Sequence, residues 1–193
     1  MITSQQLKQI VPNIKPDNLT VYTDVLNEAL PRYDIITPER IRCFISQVAE
    51  ESASFNATKE FASGKEYEGR KDLGNVNPGD GVRYKGRGLI QVTGRANYKE
   101  CSRVLFKDDT LIKKPELLEL PKYAVESACW YWQSRRLNEI CDQPDDWTHT
   151  VTHKDGTTST YTKFQQLTRC INGGLNGYNE REAFYQRAKQ VIN

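Results

Sequence analysis

Apolar residues recur at intervals of three and four along most of this chain, the spacing that lines them up on one face of a helix. One such segment starts after Thr3 or Ser4. A second starts near Pro16-Asp17 and carries Leu19, Tyr22, Val25, Leu26 and Leu30. Thr37-Pro38-Glu39 marks a third start, with a hydroxyl cap, proline at the first helical position and an acid in the first turn. A short strand is expected over 89–92, followed by Thr93 as the cap of a helix bearing Tyr98, Cys101, Val104 and Leu105. Pro115 and Pro121 open two more helices. The second runs through Ala124, Ala128, Tyr131 and Trp132, and its tryptophans, Trp130 and Trp132, are read as core aromatics.

The period changes between Trp147 and Tyr161, where threonines alternate around Asp155-Gly156, a strong short-hairpin signal. Helical spacing returns at Phe164, Leu167 and Ile171 and stops at Asn172-Gly173-Gly174, where glycine can take the left-handed conformation of a helix end. A last helix is expected over 180–192. The pattern predicts a single mainly α domain over 1–193 with one small β-hairpin excursion.

With 193 residues, 37% apolar and 27% charged, the chain has the composition of a folded globular protein and not of a disordered one. A formal net charge of +2 is too small to mark a nucleic-acid binder, although Arg83, Lys85, Arg87 and Arg95 gather positive charge locally. No run reaches the roughly 20 apolar residues of a membrane span. The first residues lack the basic and apolar regions of a secretory signal, so cytoplasmic synthesis is expected. Five scattered cysteines read as reduced, mostly buried thiols. His149 and His153 alone make a poor metal site, and no metal or other cofactor is expected.

The candidate chemistry lies in two glutamates nine residues apart, Glu51 and Glu60. At about 100° per residue, Ile41, Phe44, Ile45, Val48 and Phe55 form one apolar stripe, with Glu51 at its edge and Glu50 on the opposite, solvent-facing side. In one straight helix Glu51 and Glu60 would lie about 13.5 Å apart along the axis and on opposite sides. To act together they need the helix to end after about Phe55 and the chain to fold back. Seven of the twelve glycines fall between Gly64 and Gly88, which suits an irregular loop there. A desolvated Glu51 and a polar-loop Glu60 fit the acid and the base of glycosidic bond cleavage.

Several separated motifs strengthen that reading. Ser46-Gln47-Val48-Ala49-Glu50-Glu51-Ser52 is followed by Tyr67-Glu68-Gly69-Arg70 and then by Tyr84-Lys85-Gly86-Arg87-Gly88-Leu89-Ile90-Gln91-Val92-Thr93-Gly94-Arg95-Ala96-Asn97-Tyr98. Ile171-Asn172-Gly173-Gly174 and Arg181 complete the set. In this order they resemble glycoside hydrolase family 19, the chitinase-like enzymes, and more closely the phage endolysins of that family, over about residues 37–192.

The resemblance implies a lysozyme-like, two-lobed helical fold with a central cleft. It implies Glu51 as general acid, Glu60 as general base, and Thr93 as a hydroxyl that helps hold the attacking water. Glu68, Arg70, Tyr84, Gln91, Asn97, Asn172 and Arg181 match residues that bind sugar or orient the carboxylates. The implied chemistry is inverting, with acids about 6.5–9.5 Å apart. One departure is Glu50, where many relatives carry histidine.

The expected substrate is bacterial peptidoglycan, with cleavage of β-1,4 bonds between amino sugars by a monomer that inserts in no membrane and binds no nucleic acid. A holin would then supply the route to the wall. Chitin is the nearest alternative polymer, and a non-catalytic glycan-binding protein the alternative of another class.

Overall fold

The computed structural model describes residues 1–193. Helix α1 (Ser4–Ile10) opens in a reciprocal cap: the Gln6 amide donates to Thr3 Oγ1 at 3.1 Å, and the Gln6 side chain accepts from the Thr3 amide at 2.9 Å. Helix α2 (Pro16–Ala29) begins on its proline, and α3 (Pro38–Glu51) on the Thr37 hydroxyl, which accepts from the Arg40 amide at 3.3 Å. Three short helices and turns punctuate the middle of the chain, among them α4 (Asp80–Arg83), before α5 (Arg95–Leu105) and α6 (Thr110–Lys113). Then come α7 (Pro121–Ser134), α8 (Leu137–Cys141), the hairpin β1 (Thr148–Thr152) and β2 (Thr158–Thr162), α9 (Lys163–Asn172) and α10 (Tyr178–Val191).

The larger lobe packs α10 along α1 and α3, with α2 against α7. The smaller lobe combines the irregular segment 52–94 with α5 and α6, and α7 touches both lobes. One hydrophobic cluster runs through the two, from Leu7 and Phe44 to Leu89 and Tyr98. The hairpin is antiparallel, pairs Thr150 with Thr160, and stands outside this core. All five cysteines are free thiols; four are buried and Cys170 is half-buried.

Four local expectations need correction. The segment 89–92 makes no strand: only isolated bridges pair Lys59 with Arg87 and Arg87 with Val92, because Gly88 (φ +80°) and Gln91 (φ +54°) bend it. Thr93 does not cap α5. Gly94 occupies that position, and the Thr93 hydroxyl donates to the Gln91 carbonyl at 2.9 Å. Pro115 starts only a 3-10 turn over Pro115–Glu119, since the residue before Pro121, Leu120, is driven into an extended conformation.

The fourth correction concerns α3, which ends at Glu51, four residues earlier than expected. Ala53, Ser54 and Phe55 all adopt left-handed φ values, 48°, 64° and 61°, and reverse the chain at once. Such residues cost about 1–2 kcal/mol each outside glycine. Several contacts offset that cost. The Phe55 side chain is fully buried with its ring 5.3 Å from Tyr22. Ser52 Oγ donates to the Val48 carbonyl at 2.6 Å and accepts from the Phe55 amide at 3.0 Å. Asn18 donates to the Phe55 carbonyl at 2.9 Å, so the first helices brace the turn.

Candidate active site

The last turn of α3 places Glu51 where helix carbonyls point outward, a poor site for a lone anion. The opposing cation is Arg181 of α10, whose Nη2 donates to Glu51 Oε1 at 2.6 Å. Arg181 is only 2% exposed and its other donors are taken, by Gln47 Oε1 at 2.8 Å and the Asn176 carbonyl at 3.3 Å. Gln47, one turn before Glu51 on α3, is itself locked by donating to Thr168 Oγ1 at 2.9 Å. A chain of contacts thus runs from Thr168 through Gln47 and Arg181 to one oxygen of Glu51. Its other oxygen, Oε2, makes no hydrogen bond within the protein. Instead of the apolar setting expected for Glu51, the structure gives it a charged neighbour.

Glu60 is held in another way. Its strand-like stretch pairs with the segment around Gly86: the Glu60 amide donates to the Gly86 carbonyl at 3.1 Å, and the Gly88 amide to the Thr58 carbonyl at 2.9 Å. The Gly86 amide donates to Glu60 Oε1 at 2.9 Å and the Tyr67 hydroxyl to Oε2 at 2.9 Å. Burial first, and then the hydrogen bond to Glu60, raise the pKa of Tyr67 above the usual phenol value, so it remains a donor at neutral pH. A side chain at position 86 would not fit: a Cβ there would lie 2.8 Å from Gln91 Oε1 and 3.2 Å from Glu60 Oε2. The Gln91 amide and the Glu60 carboxylate therefore crowd the same face of Gly86. Gln91 Nε2 is turned away, donating to the Gly88 carbonyl at 2.9 Å.

Gln91, Thr93 and Asn97 come together on one wall of a depression of about 510 Å³ between the lobes, with Trp130, Tyr131 and Arg135 of the α7 end on the other. Asn97 Nδ2 donates to the Thr93 carbonyl at 2.7 Å. Trp132 is fully buried as expected, whereas Trp130, 6% exposed, also lends an edge to this depression. Asn172 closes α9, and its Oδ1 is shielded from solvent without a hydrogen-bond partner.

The remaining expected site residues lie elsewhere. Tyr84 is 1% exposed, its hydroxyl donating to the Ile112 carbonyl at 3.1 Å, and so is placed in the core, away from the depression that holds Gln91 and Asn97. Glu68 is occupied with the backbone: its oxygens accept from the Gly79 amide at 2.6 Å and the Gly81 amide at 2.8 Å. Arg70, on the surface, pairs with Asp72 at 2.5 Å. Glu50 does not face open solvent. It is half-buried, and a Cβ on Gly177 would come within 2.6 Å of its Oε1. Burial, followed by the charges of Glu180 and Glu51, raises its pKa against the opposing pull of Arg181.

Sequence reasoning did not single out Gln47, Tyr67 or the Gly86 amide. Gln47 had a signal, since it sits four residues before Glu51 on the same helix face. Backbone amides carry none.

Neither Glu51 nor Glu60 lines the depression between the lobes itself, but Glu60 meets Gln91 of its wall across Gly86, and a mainly helical chain of this kind, with a small hairpin, has the layout of a lysozyme-like glycoside hydrolase. Comparison with known proteins agrees: the model of glycoside hydrolase family 19, described as chitinase class I, matches residues 41–193, and the chain belongs to that family. A Haemophilus influenzae protein described as a glycosyl hydrolase family 19 domain-containing protein is 32% identical over 66% of this chain and 52% of its own length. A Pisum sativum endochitinase is 29% identical over 58% of this chain and 37% of its own. The chain thus spans about half the length, or less, of these curated relatives. Among solved structures, chitinase C from Streptomyces griseus superposes with a TM-score of 0.67 at 20% identity, covering 99% of this chain and 76% of that one. A class IV chitinase from Zea mays gives 0.68 at 16% identity, with 99% and 92% covered. At these identities the two structures support the fold alone.

Proposed function

We propose that this chain hydrolyses β-1,4 bonds between N-acetylated amino sugars with inversion, and that its polymer is bacterial peptidoglycan. The observation that carries the reading is the contrast between the carboxylates: Glu51 has one oxygen free of protein partners, while Glu60 has both oxygens oriented by N–H and O–H donors. Glu51 Oε2 delivers a proton to the leaving glycosidic oxygen. Glu60, an acceptor at both oxygens, takes a proton from water on the opposite face of the sugar. The Thr93 hydroxyl, its own proton committed to the Gln91 carbonyl, offers lone pairs to the second hydrogen of that water. The water oxygen bonds to the anomeric carbon as the glycosidic bond breaks, and proton exchange with solvent resets both acids.

Gln91 and Asn97 line the path of the glycan, and Arg181 and Tyr67 fix the carboxylates without touching it. In this reading the protein works at the bacterial wall. Chitin is the second reading, favoured by the endochitinase and chitinase names of the relatives. The test is digestion of purified peptidoglycan and of chitin, with mass analysis of new reducing ends and assignment of the anomer first formed. Release of α-anomeric ends from peptidoglycan is expected. Release from chitin alone selects the second reading, and binding without cleavage of either polymer overturns both.

A further inference from the structure

Most arginines near the cleft are committed. Arg181 pairs with Glu51, Arg87 with Glu119 at 2.8 Å and Arg95 with Asp80 at 2.7 Å. Arg135 has no carboxylate partner. It follows the last turn of α7, is exposed, and makes a single hydrogen bond, from Nη1 to Ser134 Oγ at 3.3 Å. It is nevertheless not a free-swinging surface side chain, because its guanidinium carbon sits over the Tyr131 ring, 3.6 Å from the centroid. Tyr131 is in turn anchored, its hydroxyl 3.3 Å from the carbonyls of both Cys170 and Ile171.

This ordered cation borders the depression that also holds Gln91, Thr93 and Asn97. Gln91, which shares that depression, crowds the same face of Gly86 as the Glu60 carboxylate. Tyr131 is raised above the usual phenol pKa by burial and by the charge of Glu51, while Arg135 acts against them. The facing wall carries Glu100, also without an ion partner.

An ordered guanidinium with unused donors is a carboxylate receptor. Chitin offers it no carboxylate, since its sugars are neutral. Peptidoglycan does: alternate sugars carry a lactyl ether extended by a peptide stem with free carboxylates. We propose that Arg135 is a specificity residue that binds a stem carboxylate beside the scissile bond, so that the cleft favours peptidoglycan over chitin. The inference rests on the amino-sugar hydrolase reading and names the feature of the substrate that the carboxylate pair cannot distinguish.

The experiment compares kcat/KM on soluble glycan strands with intact stems against kcat/KM on an N-acetylglucosamine hexamer. Arg135→Gln is expected to lower the ratio of the two about tenfold, in keeping with loss of one charge-assisted contact at an exposed site. Arg135→Lys keeps the charge without the planar guanidinium fork and falls between. Glu100→Gln removes the opposing charge and raises the ratio. An unaltered ratio in Arg135→Gln, or equal loss on both substrates, overturns the proposal. Binding of the same two ligands to Glu51→Gln, with and without Arg135→Gln, reads the ratio without turnover. Absence of cleavage by the wild type would thus overturn the hydrolase reading and leave Arg135 to be decided by binding. A chain that binds neither ligand, or binds with a ratio indifferent to Arg135, overturns the inference.

Discussion

The two carboxylates stand on walls built by opposite means. The Glu51 wall is helix against helix: α3 supplies the carboxylate, and α10, 130 residues further on, supplies the nearly buried guanidinium that holds it. The Glu60 wall is built on the segment 52–94, which contains no helix longer than α4 and is organised largely by hydrogen bonds to backbone. Glu68 accepts from two amides, Asn75 accepts from the Arg95 amide at 2.8 Å, and Asp80 accepts from the Asn77 amide at 3.0 Å while pairing with Arg95. Helix packing brings in the cation that holds one acid, and hydrogen bonding within a loop orients the other. Damage to the first wall is therefore expected to appear as lost stability, and damage to the second as lost turnover.

Replacing either acid tests whether the walls are equal in chemistry. Glu51→Gln and Glu60→Gln should each lower kcat by about 10²–10⁴, and retention of wild-type turnover by either would remove it from the mechanism. Stability should then separate them. Arg181→Met strips the partner from a nearly buried ion pair and should cost about 3 kcal/mol in urea unfolding. Tyr67→Phe, which removes one hydrogen bond from Glu60, should cost about 1 kcal/mol or less while still depressing kcat. Equal losses from these two variants would erase the contrast.

Gly86→Ala sharpens it. The added methyl meets Gln91 Oε1 and Glu60 Oε2, so turnover should fall while unfolding shifts by only about 1 kcal/mol, the low end of overpacking.

The smallest effect is in acid. The Arg95 hydrogen bonds, outweighing burial, hold the Asp80 carboxyl below its ordinary pKa. A depressed pKa adds stability that is complete above the unfolded value, about 3.9, and is lost as pH falls through the folded one. The stability difference between wild type and Asp80→Asn should therefore be constant near neutrality and shrink below about pH 4. A difference equally large at pH 3 would contradict the assignment.

The helical lobe was largely legible in the sequence because its signals are local: Thr3, Thr37 and Pro121 start helices, and Gly173 stops one with φ +79°. The helical wheel also required a reversal between Glu51 and Glu60. Its location was hidden, because Ala53, Ser54 and Phe55 have no compositional mark of left-handed backbone; burial of Phe55 and the bonds of Ser52 and Asn18 impose it. The loop wall was harder to read. Tyr84 sits in a run of charge and glycine that looks like surface, yet its ring packs 5.3 Å from Tyr98 in the core. Glu68 looks like a ligand-binding acid until the Gly79 and Gly81 amides are seen to occupy it. Tertiary contacts decided those positions, and a linear pattern does not encode them.

The left-handed turn also works as the zero mark of a ruler. From Asn56 the chain runs only four residues to Glu60, along a pairing with 86–88 in which successive side chains alternate sides. One residue inserted in that run would leave the backbone bonds able to re-form one step along, but would turn the Glu60 carboxylate to the far side of the pairing, away from Tyr67 and the cleft. The spacing between the acids is therefore counted in whole residues from a fixed bend, so changes in length there should act as a switch, all or none, while length changes in the exposed hairpin loop at 153–157 should pass unnoticed by the site.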